Sequence, residues 1–145
     1  MTEEVTATVE VDAPADAVWE VLTSPTRWPA WTDSVTEAEL LDERFGPGAR
    51  VRVVQPGLRP AVWTVTEIEE GRAFTWTSRS PGVLTTASHV LLPAGPERTR
   101  LRLHLHHDGL LAPLVHRLLG ARTRRYVEME ARGLKAAAEA RTPTP

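Results

Sequence analysis

From residue 34 to residue 107 the chain is cut by Gly and Pro into short apolar stretches, and after them comes one long segment of helical period. The cuts fall at Gly46-Pro47-Gly48, Pro56-Gly57, Glu70-Gly71, Pro81-Gly82 and Pro93-Ala94-Gly95-Pro96. Gly and Pro supply the dihedral angles of tight turns, so the stretches between them read as strands over 34–42, 49–55, 61–69, 72–79, 83–92 and 99–107. Connections this short join antiparallel neighbours. Upstream, Val5, Ala7, Val9 and Val11 alternate with polar residues, which is the period of a further strand. Asp12-Ala13-Pro14 stops it, Val18, Trp19, Val21 and Leu22 give a short amphipathic helix, and a Pro- and Trp-rich segment runs from Pro25 to Trp31.

The long segment reads as a helix over 110–139, roughly 45 Å at about 1.5 Å per residue. On a helical wheel Leu111, Leu114, Val115, Leu118, Leu119, Tyr126, Met129, Gly133, Ala136 and Ala137 share one broad face. Arg117, Arg124, Glu128, Arg132, Lys135 and Glu139 lie opposite, and Arg122 sits in the middle of the apolar face. The order is α+β: strand, short helices, six strands, long helix. Seven strands at about 4.8 Å spacing make a sheet roughly 34 Å wide. A single helix is only about 10–12 Å across. The sheet must therefore curl around the helix and leave a wedge. An empty dry cavity of about 300 Å³, the low end for small-molecule sites, would cost about 7 kcal/mol, which rivals a domain's total stability. The wedge must be filled by large side chains, water or a ligand, and five tryptophans are available as filling or lining.

The 145 residues suit one domain, expected over 1–140 with a frayed tail from Arg141 to Pro145. The chain has no cysteine, which removes disulfides, thiolate metal sites and cysteine nucleophiles. The acidic Met1-Thr2-Glu3-Glu4 start has no apolar core of a signal peptide, and Leu110 to Ala121 is too short for a bilayer span, so a cytoplasmic location is expected. Residues 1–72 carry 6 basic and 14 acidic side chains, a net of -8, whereas residues 73–145 carry 11 and 5, a net of +6. We read this as a basic C-terminal helix packing near acidic strands of the same fold, with no nucleic-acid partner, since the whole chain carries only -2.

Several short motifs, in order and spacing, resemble the START-like helix-grip superfamily (SRPBCC), and within it the bacterial polyketide cyclase/dehydrase-like family. They are Val9-Glu10-Val11-Asp12-Ala13-Pro14, Val18-Trp19, Arg27-Trp28-Pro29-Ala30-Trp31, Gly48-Ala49-Arg50-Val51, Ala61-Val62-Trp63-Thr64-Val65, Phe74-Thr75-Trp76, Arg125-Tyr126-Val127-Glu128-Met129-Glu130 and Gly133-Leu134-Lys135. The resemblance implies a seven-stranded curved antiparallel sheet gripping the C-terminal helix around a hydrophobic cavity, and members that bind lipids, hormones or aromatic polyketides. In its aromatase/cyclase branch the strand matching Val62-Trp63 also carries a pocket serine and arginine. Here the same parity reads Trp63, Val65, Glu67, Glu69, an acidic departure that speaks against an aldol-type aromatase.

Binding of a hydrophobic or aromatic small molecule is the first expectation, by a monomer or homodimer without cofactor. Its lining candidates are Trp28, Trp31, Trp63, Phe74, Trp76, His89, Arg122, Tyr126 and Met129. The alternative is an enzyme that folds a polyketide-like chain by positioning and proton transfer, with His89, Glu67 and Arg122 as actors. Each residue also has a plain structural reading. The rings can be core, His89 can be a satisfied strand histidine, and Arg122 can extend its head to solvent. His104, His106 and His107 form a run, but third and fourth metal ligands are not evident, so no metal is expected. A phosphate loop, a Gly-x-Ser-x-Gly elbow and a zinc helix are all lacking in the sequence.

Overall fold

The structure, a computed structural model, describes residues 3–141. The strands are β1 (Glu3–Val11), β2 (Glu37–Leu40), β3 (Arg50–Val54), β4 (Ala61–Glu69), β5 (Ala73–Ser80), β6 (Val83–Pro93) and β7 (Thr99–Asp108). They form one antiparallel sheet in the order β1-β7-β6-β5-β4-β3-β2. Only the first strand leaves its sequence neighbour, pairing with the last. Between β1 and β2 lie helix α1 (Ala15–Leu22) and a 3-10 turn over Pro25–Ala30. The long helix α2 runs from Ala112 to Arg141 and packs along β1 and β7 and against α1. This is the helix-grip architecture. The expected tail at 142–145 lies outside the described residues, and Arg141 itself is the last helical residue, paired with Glu20.

Acidic β1 pairs with basic β7, a strand, where the charge pattern had pointed to the C-terminal helix. Glu10 of β1 faces Arg100 of β7 in register, with Oε1 2.7 Å from Nε, and Asp12 pairs with Arg98. Both pairs are exposed, so they set register more than stability.

Two expectations are corrected. The first concerns the buried face of α2. Leu111, Leu114, Leu118 and Ala136, placed on the core side by the wheel, are exposed. The helix instead buries Ala112, Gly120, Tyr126, Val127, Ala131, Leu134 and Ala138, a face displaced by about a third of a turn. Small residues bring the helix backbone close to its neighbours. At Gly133 an added Cβ would run into the backbone carbonyl of Trp31. Close approach chose the face, and the leucines were left outside.

The second concerns β4. Pairing steps from Val65↔Trp76 to Glu67↔Thr75, so β4 carries one extra residue at a bulge. A one-residue slip sends every later side chain to the other face. Ile68, paired with Phe74, turns inward, and Thr66, Glu67 and Glu69 are exposed. The acidic inner parity read from the sequence does not exist.

Candidate functional site

Paired residues share a face of the sheet, so the registers divide the concave side into tiers. One tier holds Ile68, Phe74, His89 and Leu103, and the next holds Val65, Trp76, Ala87, Leu105 and Val5. Beyond these, towards the N-terminus of α2, come Trp63, Ser78, Thr85 and His107. The first two tiers are mostly closed: Phe74 is 1% exposed, Trp76 3% and His89 3%. The third is different. Trp63, Ser78 and Thr85 point the same way but are only half-buried, and two of the three are small and hydroxylated.

The deep end is filled by aromatic side chains. Trp76 touches Trp28, Trp63, Phe74 and Phe45 with ring centroids 5.3–6.5 Å apart. Trp28 also meets Trp31 at 5.6 Å, and Trp19 meets Phe74 edge-on at 6.4 Å. Offset and edge-to-face pairs of this kind contribute about 0.5–1.5 kcal/mol each beyond their burial. The indole N–H of Trp28 donates to the Leu22 carbonyl and that of Trp19 to Glu70. Trp28, Phe74 and Trp76, counted among the lining candidates, are thus the floor of the wedge, and Trp31 closes it beside Gly133. Phe45, which the sequence reading passed over as a loop residue, belongs to the same cluster.

His89 faces inward with Leu91, as alternation allowed. Its ring stacks on Phe74 at 4.1 Å and 13°. Nδ1 lies 3.3 Å from the Phe74 carbonyl, which only accepts, so Nδ1 carries a hydrogen and donates. Nε2 then faces Glu130 Oε1 at 3.4 Å, an oxygen shut off from solvent. The contact is one of proximity, and that Glu130 oxygen has no hydrogen-bond partner among the described residues. Glu130 was not singled out by sequence. It lies three residues before the noticed Gly133, within a stretch read only as a family motif.

Arg122 and Tyr126 reach away from the sheet core. Arg122 Nη1 donates to the Gly57 carbonyl at 3.0 Å, and the Tyr126 hydroxyl donates to the Pro56 carbonyl at 2.5 Å. The sequence left Arg122 either as an actor in the cavity or with its head extended to solvent. With the buried face displaced it sits at the helix flank, and its partner is the β3–β4 turn. Gly57, at φ 76°, adopts the left-handed backbone that turn needs and leaves room for the guanidinium. Met129 is half-buried on α2. Glu67 stands outside the grip. A family model described as polyketide cyclase / dehydrase and lipid transport matches residues 2–139.

The chain belongs to that family. No curated protein matches the sequence. Among solved structures, the Zhui aromatase/cyclase of a Streptomyces species superposes with a TM-score of 0.80 at 24% identity, covering 97% of this chain and 96% of that one. A START superfamily protein from Mycobacterium smegmatis gives 0.72 at 21% identity, covering 96% and 99%. Norcoclaurine synthase from Thalictrum flavum gives 0.73 at 14% identity, covering 99% and 90%. At these identities the likeness is one of fold.

Within this member of the polyketide cyclase / dehydrase and lipid transport family, the distinctive feature is the span between helix and sheet. α2 rests on β1 and β7, and two of its long side chains, Arg122 and Tyr126, cross to the β3–β4 turn. At the rim a cleft of about 680 Å³ lies between the β5–β6 hairpin and the turn before α2, walled by Ser80, Val83, Leu84 and Leu110 among others. A second, of about 400 Å³, opens beside Trp31 and Arg27 at the far end. Among the described residues no three His, Asp or Glu side chains come together to hold a metal. His104 and His106 pair with Glu4 and Asp108 respectively on β7.

Proposed function

We propose that the domain holds an apolar or aromatic small molecule between the sheet and the N-terminal half of α2. The observation that carries this reading is the partly exposed tier: Trp63, Ser78 and Thr85 face the helix side yet stay half-buried, while the tier below is sealed by Trp76. An indole beside two hydroxyls suits a flat ligand with a few oxygens, because the ring supplies area and the hydroxyls supply orientation. The Arg122 and Tyr126 bonds close the span over such a guest. Native mass spectrometry of the freshly purified protein tests this directly. A co-purified apolar compound, displaced when Thr85→Trp fills the tier, is the expected result. A bare mass, with no shift in melting temperature across a panel of lipids, flavonoids and polyketides, would overturn it.

A second reading, an acid/base enzyme of the cyclase or dehydrase type, is favoured by the His89–Glu130 pair. An imidazole beside a carboxyl group in an apolar interior is the equipment such chemistry uses. Glu67 has no part in it, and Arg122 is committed to Gly57. Unchanged product distribution by His89→Phe in a reconstituted pathway would refute it.

A further inference from the structure

The apolar stripe that the core does not use calls for a partner. Leu110 is 95% exposed, Leu118 70%, Leu114 50% and Leu111 44%. They cluster on one side of the first two turns of α2 and the residue row just before it. Stray exposed leucines are ordinary, but three at i, i+3, i+7 spacing with a fourth just before them are not. The charge around them is also one-sided. From Gly109 to Val127 the chain carries four arginines and no carboxylate. The first turn of α2 has no acidic residue, although the helix dipole favours one there. Of the four, Arg122 is used on Gly57, and Arg117, Arg124 and Arg125 are exposed beside the leucines.

We propose that this leucine stripe docks on an anionic lipid surface, with α2 lying in the interface plane. Leucines at the apolar front and arginines at the flanks are the pattern of a helix that enters the headgroup boundary without crossing. No helix among the described residues is long and apolar enough to cross a membrane. Arginine stems lie along apolar surface while their heads reach phosphate, which matches leucines and guanidiniums on one strip. A second copy of this chain fits less well. A two-fold contact through the stripe would set Arg117 and Arg125 against the same residues of its mate. The leucines form a ridge with Leu110 at its prow, a shape made for a yielding surface. The stripe also adjoins the rim cleft, since Leu110 walls it and Leu111 packs on Gly82 of the β5–β6 hairpin.

Flotation of the full chain with vesicles of phosphatidylcholine, alone or mixed with phosphatidylglycerol, tests the proposal. Binding to the mixed vesicles that weakens with salt is expected. Leu114→Asp with Leu118→Asp should weaken it about tenfold or more. Arg117→Glu should weaken it about fivefold. All these positions are exposed, so an unchanged melting temperature shows that the variants are folded. No flotation with the anionic vesicles would overturn the proposal. So would flotation indifferent to the leucine changes, or a dimer that the same changes dissolve. Mass spectrometry for a bound compound reads the interior separately, so either idea can fail alone.

Discussion

Gly133 of α2 lies against the backbone carbonyl of Trp31, so closely that the space for a Cβ is already occupied by that oxygen and by the indole edge. The helix is thereby seated on the 3-10 turn that carries Trp28. Gly133→Ala must push the helix away or shift the turn, because backbone cannot rotate aside. We expect a loss of about 1–3 kcal/mol, the usual cost of overpacking, in a urea titration. A neutral result would show that the two segments are not rigidly seated.

His89 and Glu130 should behave as a unit. His89→Phe keeps the stacking on Phe74 but strands the Glu130 oxygen, and Glu130→Leu leaves Nε2 without its partner. Each single change should cost about 2 kcal/mol, and the double variant clearly less than the sum. Strict additivity in the double-mutant cycle would show that the two groups do not interact.

Glu139 gives a stability contribution with a defined pH window. Burial opposes its ionisation, but hydrogen bonds from Lys135 and from the Asp12 backbone N–H outweigh that and hold its carboxyl below the ordinary glutamate value. A depressed folded value means stability fully present above the unfolded glutamate range, near pH 4.3, and lost as pH falls through the lower folded value. Glu139→Gln should therefore melt below the wild type at pH 7. The gap should close at more acidic pH, as followed by circular dichroism.

The β3–β4 turn should loosen when its two donors are removed. Arg122→Ala and Tyr126→Phe each delete one hydrogen bond to a carbonyl at a partly exposed site, for about 1 kcal/mol or less. Hydrogen exchange of residues 55–60 should quicken in both, and more in the double variant, with β7 unaffected.

The order of strands and helices was legible because Gly and Pro mark the turns and because period 2 and period 3.6 do not mimic each other. The facing of His89 was left open, because Val90 and Leu92 are apolar as Leu91 is. Two things were misread. Hydrophobicity gave α2 the wrong face, since its buried side includes Gly120, Ala131 and Ala138, residues too small to stand out in a hydrophobic pattern. The extra residue in β4 leaves no mark in an alternating pattern, so Glu67 was set inside. Glu130 gave no signal of its own, because its importance comes from a histidine 41 positions away that only folding brings near.

The kink at Thr66 has an evolutionary corollary. One codon deleted there would restore straight pleating with Ile68 still inward and Glu67 and Glu69 still outward, because Glu67 would then follow Val65 directly. Kin that lack this one residue therefore keep the same lining under lettering of shifted parity, and their guests should not differ on that account.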